Sequence, residues 1–220
     1  MNLFIIGDVH GCFQTFSELL KRWNPATEHL IQVGDLVDRG ALTPETVELA
    51  RQLSEQYPES TTFLMGNHEY GLLHHFGPHG PYPSWLSWGG RSTAEQYKRK
   101  PRLLTQHLPW LEQRPLLWQN DHVLVSHAGL ADIPLTVALD RDNPDGILWR
   151  RGPLRPLPQL QVVGHTPTDD GNPIFDRATN TRYIDTGAVF GRNLTGLRLA
   201  PTGEVLDTIL IPVAPADLPA

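Results

Sequence analysis

Six side chains in this sequence are the oxygen and imidazole donors that divalent metals take, and each stands just after a short apolar run. Asp8 and His10 follow residues 3–6, Asp35 follows residues 30–33, and Asn67 follows residues 63–65. His127 and His165 follow residues 123–125 and 160–163. Six donors suffice for two metal ions if one carboxylate bridges them. Imidazole with carboxylate suits Mn, Fe or Zn better than Ca or Cu(I). Two ions roughly 3.5–4 Å apart are the usual arrangement for displacing a phosphoryl group. Of the six donors only Asp8 and Asp35 are anionic, so two divalent ions would leave the set net positive and attractive to phosphate. Such a pair also lowers the pKa of a bridging water toward neutrality, which supplies hydroxide without a protein nucleophile. Three neighbouring residues suit chemistry better than ligation. Arg39 can bind non-bridging phosphate oxygens. His68 can protonate a leaving alkoxide if Asp38 orients and charges its imidazole.

These donors need elements that bring them to one place. Each apolar run is too short for a helix and reads as a buried strand, closed at once by Gly or Ser and then by Asp, His or Asn. Between the strands lie helical patterns. Phe13, Phe16, Leu19 and Leu20 share one face, and Val47, Ala50 and Leu53 share another, after a Thr43 cap with Pro44 at the first helical position. Alternation of this kind is α/β, and polar residues placed just after buried strands collect at one edge of a sheet, where ligands bind in open α/β folds. Residues 70–120, rich in Trp, Pro and His and carrying helical stretches at 92–99 and 103–108, read as a cap inserted over that edge. From residue 183 to 207 strand patterns flank a turn at Pro201, Thr202 and Gly203, and a Pro-rich tail is expected to fray.

The length of 220 residues fits one α/β domain of ordinary size. No apolar run approaches the roughly 18 residues of a membrane span, and residues 1–6 lack the basic start and long apolar stretch of a secretory signal. The expectation is a cytoplasmic protein with no membrane partner. A single cysteine, Cys12, can form neither an intrachain disulfide nor a thiolate cage, so any metal must be held by nitrogen and oxygen. The net charge of −6 argues against general nucleic-acid binding, which relies on a basic surface.

The motifs at residues 7–11, 34–40, 66–69, 127–129 and 164–166 together resemble the motif set of the phosphoprotein phosphatase family, within the metallophosphoesterase superfamily. They stand in the family's order, and the compact chain is similar to bacterial and phage members. Trp88, Gly89, Gly90, Thr93 and Tyr97 match a further feature of the bacterial branch, which also holds symmetrical dinucleoside tetraphosphate hydrolases. The resemblance implies a four-layer α/β/β/α sandwich with two mixed β-sheets, spanning residues 1–220 as one domain with the cap-like insertion at about 70–120. It implies a first metal on Asp8, His10 and Asp35, a second on Asp35, Asn67, His127 and His165, and an acid dyad of Asp38 with His68. The family's second phosphate-binding arginine follows a Leu-Trp pair. Here Leu148 and Trp149 precede both Arg150 and Arg151, and Arg151 is chosen.

The implied cofactor is a pair of divalent ions, Mn²⁺ first, with Fe or Zn as alternatives. The implied activity is hydrolysis of phosphomonoesters, phosphoserine and phosphothreonine in proteins first, by direct attack of a metal-bridging hydroxide with no phosphoenzyme. Hydrolysis of a symmetrical dinucleoside tetraphosphate is the alternative, and the short chain leans against it because those enzymes tend to be longer. RNA-end processing and a metal-stabilised phosphopeptide-binding module without turnover stay open. The histidines at 74, 75 and 79 read as solvated surface residues. Trp85, Trp88, Trp110 and Trp118 read as core anchors rather than as base-stacking platforms. Cys12 reads as a small buried apolar residue, Glu69 as a residue that holds neighbouring backbone, and Asp185 as a turn residue.

Overall fold

The computed structural model describes residues 1–219. Strands β1 (Asn2–Ile6), β2 (Glu28–Gln32) and β3 (Thr61–Phe63) run parallel in one sheet, and β9 (Asn193–Leu199) and β10 (Val205–Pro212) extend it antiparallel in the order β10-β9-β1-β2-β3. A second sheet has the order β4-β5-β6-β8-β7, built from β4 (Leu117–Gln119), β5 (Val123–Ser126), β6 (Leu160–Val163), β7 (Ile174–Asp176) and β8 (Thr181–Tyr183). Its central β5, β6 and β8 are parallel, and its outer β4 and β7 are antiparallel.

Strand β1 shows why these segments read as continuous apolar runs: both of its faces are covered. Leu3 and Ile5 point inward, where they join Ile31, Val33, Val123, Val125, Val162, Ile184 and Leu197 in a core between the two sheets. Phe4 and Ile6 point outward against Phe16 and Leu19 of α1 (Phe13–Leu20) and Val47 and Ala50 of α2 (Thr43–Gln56). The outer face of the second sheet is covered by the short α7 (Leu135–Ala138) and by Ile147 and Leu148 over Leu124. The result is the expected sandwich of two mixed sheets between helical layers.

Residues 67–112 form α3 (Asn67–Phe76), α4 (Pro83–Trp85), a single π turn (Leu86–Gly90), α5 (Arg91–Lys98) and α6 (Pro101–Glu112). Helices α5 and α6 pack beside α2 in the helical layer, with Tyr97 and Leu111 joining its core. The start of α3, with Asn67 and His68, and the turn between α4 and α5, through Trp88, reach the edge where the motifs meet.

Two local expectations change. Thr43 is not the cap of α2: the helix starts at Thr43 itself after Leu42, and no side chain caps it. The Thr43 amide donates to Gln96 Oε1 at 2.8 Å, so a neighbouring helix satisfies the donor that a local cap would have taken. The tail does not fray. Asp217 is buried and accepts from the amides of Gln14 and Thr15 at 2.9 and 2.8 Å and from Thr15 Oγ1 at 2.6 Å. Its carbonyl takes the amide of Ala41.

Candidate active site

The parallel strands β1, β2, β3, β5 and β6 all end at one edge of the sandwich, and the loops just beyond them hold the six expected donors. Asp8, His10, Asp35, Asn67, His127 and His165 are all buried. Two close clusters share one residue: His10, Asp35 and His68 form the first, and Asp35, His127 and His165 form the second. Asp35 Oδ2 lies 3.5 Å from His10 Nε2 and 3.5 Å from His127 Nε2, which is the position of a bridging carboxylate.

The three histidines expected as ligands each give one ring nitrogen to a backbone carbonyl. Nδ1–H of His10 donates to Val37 O at 2.8 Å, Nδ1–H of His127 to Val33 O at 3.1 Å, and Nε2–H of His165 to Trp149 O at 3.2 Å. A histidine that gives one ring proton to a carbonyl presents the lone pair of its other nitrogen, the usual arrangement of metal-bound imidazole. Those lone pairs converge: His127 Nε2 and His165 Nδ1 are 3.1 Å apart, and Asn67 Oδ1 sits 2.9 Å from each. Acceptors facing acceptors beside Asp35 are a donor set that fits a cation. Asp8 lies just outside the two clusters. Its Oδ2 accepts the His165 amide at 3.0 Å, and its buried Oδ1 has no partner. A Cβ at Gly164 would stand 1.9 Å from that oxygen, so only glycine leaves it room.

Burial lowers the pKa of His10, with Arg39 adding to it, and likewise that of His127; burial and His127 take His165 down to about 2. All three are therefore neutral and ligand-ready. Burial works to raise the Asp35 carboxyl, but His127, His68, His10 and His165 outweigh it and hold it below the ordinary carboxylate range. Burial, Asp185 and Asp35 push Asp8 up, against the His165 amide and the Arg39 charge.

Asp38 and His68, the pair expected as an acid dyad, are hydrogen-bonded to each other. His68 Nδ1–H donates to Asp38 Oδ2 at 2.6 Å, leaving Nε2 facing the site. Burial opposes a charge on His68, yet Asp35 and Asp38 overcome it and raise its pKa. The Arg39 guanidinium bridges the two halves: it donates to His10 Nε2 at 2.7 Å, its Nη2 lies 2.9 Å from His68 Nε2, and its Nε–H donates to Trp88 O. It supplies the positive charge that the His10 lone pair faces. A cavity of about 320 Å³ opens here, lined by Arg39, Asn67, His68, Trp88, Trp149, Arg151 and His165. Arg150 instead turns away to an ion pair with Asp145 and to Pro153 O.

Other residues fall outside this arrangement or support it. Cys12 is buried, and burial with Asp217 pushes its thiol up to about 12. His74 stacks on His79 with ring centroids 5.0 Å apart and forms no cluster with other metal-binding groups among the described residues. Trp85 is in the core, Trp110 and Trp118 pack against it, and Trp88 and Trp149 border the cavity with ring centroids 5.3 Å apart. Glu69 holds more backbone than its sequence position suggests. Its two oxygens accept from the amides of Asp35, Leu36, Val37 and Gly66 at 2.7–3.1 Å. Burial and Asp35 push its carboxyl up to about 7, against those four donors. Two contacts had no sequence signal: the Trp149 carbonyl that fixes His165, at a residue that otherwise only marks the arginines after it, and the Trp85 N–H that reaches Asp38 across 47 residues.

The chain matches the calcineurin-like phosphoesterase family over residues 1–190. It belongs to that family. Its members use a dimetal centre, to which the two clusters around Asp35 correspond in donor type. The phosphoesterase is 32% identical to an asymmetrical bis(5'-nucleosyl)-tetraphosphatase of Geobacillus sp., a match covering 96% of this chain and 94% of that protein. It is 34% identical to serine/threonine-protein phosphatase 1 of Salmonella typhimurium, over 90% and 92% of the two chains. Its fold matches that of a protein serine/threonine phosphatase from Saccharomyces cerevisiae with a TM-score of 0.67 at 18% identity, over 100% of this chain and 81% of that one. A symmetrical bis(5'-nucleosyl)-tetraphosphatase of Vibrio parahaemolyticus, 33% identical, matches over 60% of this chain and 46% of its own length, in keeping with the longer symmetrical enzymes, whereas the asymmetrical relative spans this chain almost end to end. No helix among the described residues is long and apolar enough to cross a membrane.

Proposed function

We propose that this phosphoesterase is a di-metal phosphatase acting on phosphomonoesters, with phosphoserine and phosphothreonine of proteins as the first substrate class. The observation that carries the reading is the convergence of unshared lone pairs from His127, His165 and Asn67 at 2.9–3.1 Å beside the Asp35 carboxylate. The donor set fits two divalent ions: Asp8, His10 and Asp35 would hold one, and Asp35, Asn67, His127 and His165 the other. Mn²⁺ is the first choice, with Fe or Zn as alternatives. When bound, the ions supply Lewis acidity toward the phosphoryl oxygens and a more acidic attacking water. The chain's own residues do the rest. Arg39 and Arg151, which both line the cavity, bind the non-bridging oxygens, and Asn67 helps to orient them. His68 Nε2 delivers a proton to the leaving oxygen, while Asp38 holds Nδ1 and keeps the imidazole pointed and charged. In this reading residues 1–220 act as one domain, and residues 70–120 serve as the cap-like insertion that brings Trp88 to the rim.

A second reading, hydrolysis of a dinucleoside tetraphosphate, is favoured by Trp88 and Trp149, which set aromatic faces beside Arg39 and Arg151. The deciding experiment assays the Mn²⁺-loaded protein on a phosphoserine peptide and on diadenosine tetraphosphate, with the His68→Asn variant as control. Faster peptide turnover, reduced by about 10²–10⁴-fold in the variant, is expected. Preferred cleavage of the dinucleotide would hand the site to the second reading. Metal binding with turnover of neither substrate would overturn both and leave a phosphopeptide-binding module.

A further inference from the structure

Asp38 is fully buried, and its two oxygens are treated unequally. Oδ1 has no hydrogen-bond partner, whereas Oδ2 takes two donors: Nδ1–H of His68 and Nε1–H of Trp85, each at 2.6 Å. Trp85 is itself fully buried, and its ring is locked by two close backbone passages. A Cβ at Gly71 would stand 2.4 Å from Trp85 Cδ1, and one at Gly90 would stand 2.3 Å from Cδ2 and Cε2. The indole therefore lies in a slot that only glycine on both sides permits. His75 packs on it with ring centroids 4.8 Å apart. Three residues further on, the Trp88 carbonyl receives Arg39 Nε. One short segment, residues 83–90, thus touches both the dyad and the phosphate-binding arginine.

We propose that Trp85 is a positioning residue for proton delivery: its N–H fixes the Asp38 carboxylate so that Oδ2 stays on His68 Nδ1 and the imidazole presents Nε2 to the leaving oxygen. This rests on the role given above to His68. A buried indole commonly finds some acceptor, but here the acceptor is the same oxygen that orients the proton donor. Without the N–H, a carboxylate with an otherwise unpartnered Oδ1 is free to rotate and offer His68 either oxygen in poor alignment. In the step itself the oxygen of the attacking hydroxide bonds to phosphorus, the P–O bond to the leaving group breaks, and the proton on Nε2 passes to the leaving oxygen. The imidazole ends neutral, with Nδ1–H still on Asp38.

The test compares leaving groups. In the Mn²⁺-loaded enzyme, Trp85→Phe should lower kcat on a phosphoserine peptide by about tenfold to a hundredfold with KM nearly unchanged, the effect of losing one hydrogen bond to a charged group. Turnover of 2,4-dinitrophenyl phosphate, whose leaving group needs no proton, should fall less than about threefold. In the His68→Asn background the same substitution should add less than about twofold, because both changes act through one proton. Equal losses on both substrates, or losses that multiply fully in the double variant, would reduce Trp85 to a core residue. If Trp85→Phe does not fold, benzothienylalanine at position 85, which keeps the ring's shape and lacks the N–H, decides by the same criteria. Peptide turnover undiminished in His68→Asn would remove the acid assignment and this proposal together. A disabled His68→Asn beside Trp85 variants with the original leaving-group dependence would remove only the proposal.

Discussion

Arg150 and Arg151 follow Trp149 side by side, and their surroundings give them different work. Arg150 is committed to Asp145 and Pro153 O, whereas Arg151 lines the cavity shared with Arg39 and His68. Arg151→Ala should lower kcat/KM on a phosphomonoester by about tenfold to a hundredfold, the scale of a lost charge-assisted contact to phosphate. Arg150→Ala should change it less than about threefold. Steady-state kinetics of the two variants check the pair, and the reverse order would exchange their roles. At this scale the sequence was most readable where residue type alone carries chemistry. Asp8, His10, Asp35, Asn67, His127 and His165 are donors whatever surrounds them, and all six stand buried at one edge, Asp8 just outside the two clusters around Asp35. The arginine doubling could not be resolved by type, since what separates the two is an aspartate five residues back. Trp85 was read as core, which it is, but its N–H contact lies 47 residues away and leaves no local mark.

The loops that carry these residues are held in costly backbone. His10, Asp35, Asp38, Arg39 and His165 all adopt positive φ, from 46° to 75°, a conformation that costs a non-glycine residue roughly 1–2 kcal/mol. What over-determines them is cross-lacing. The amides of Val9 and His10 both donate to Asp35 O, Gly40 N donates to His10 O, and Glu69 gathers four amides from the turn after β2 and the start of α3. Glu69→Gln would set an NH₂ group against two of those donors. It should cost about 2–4 kcal/mol of stability in urea unfolding and weaken Mn²⁺ binding by about tenfold or more in titration calorimetry. A variant as stable as the parent would show that the turn holds itself. The existence of β1, β2, β3, β5 and β6 was plain from apolar runs closed by glycine or serine. The start of α2 was not, because Thr43 spends its amide on Gln96 of a helix some 50 residues on.

Across the whole molecule the two sheets bring five loops to one edge, and the charge assembled there is unbalanced. Supplying the missing cations should therefore stabilise the fold. Mn²⁺ at about one hundred times its dissociation constant is expected to add about 2.7 kcal/mol, or roughly 5–10 °C in Tm for a chain of this size. Asp35→Asn should abolish most of that shift in thermal denaturation, and an equal shift in the variant would place the ions elsewhere. The tail was misread for a reason of distance: Asp217 serves Thr15, 202 residues earlier, and no window along the sequence contains both. Asp217→Ala strands three donors at the start of α1 and should lower stability by about 2–4 kcal/mol. The same long closure bears on how the protein is made. Strand β1 gains its neighbour β9 only when residues 193–199 exist, and the start of α1 gains its anchor at Gln14 and Thr15 only with residue 217. On the ribosome the first motif to be synthesised is among the last to be secured, so a nascent chain stalled before the β9–β10 hairpin should still be catalytically silent.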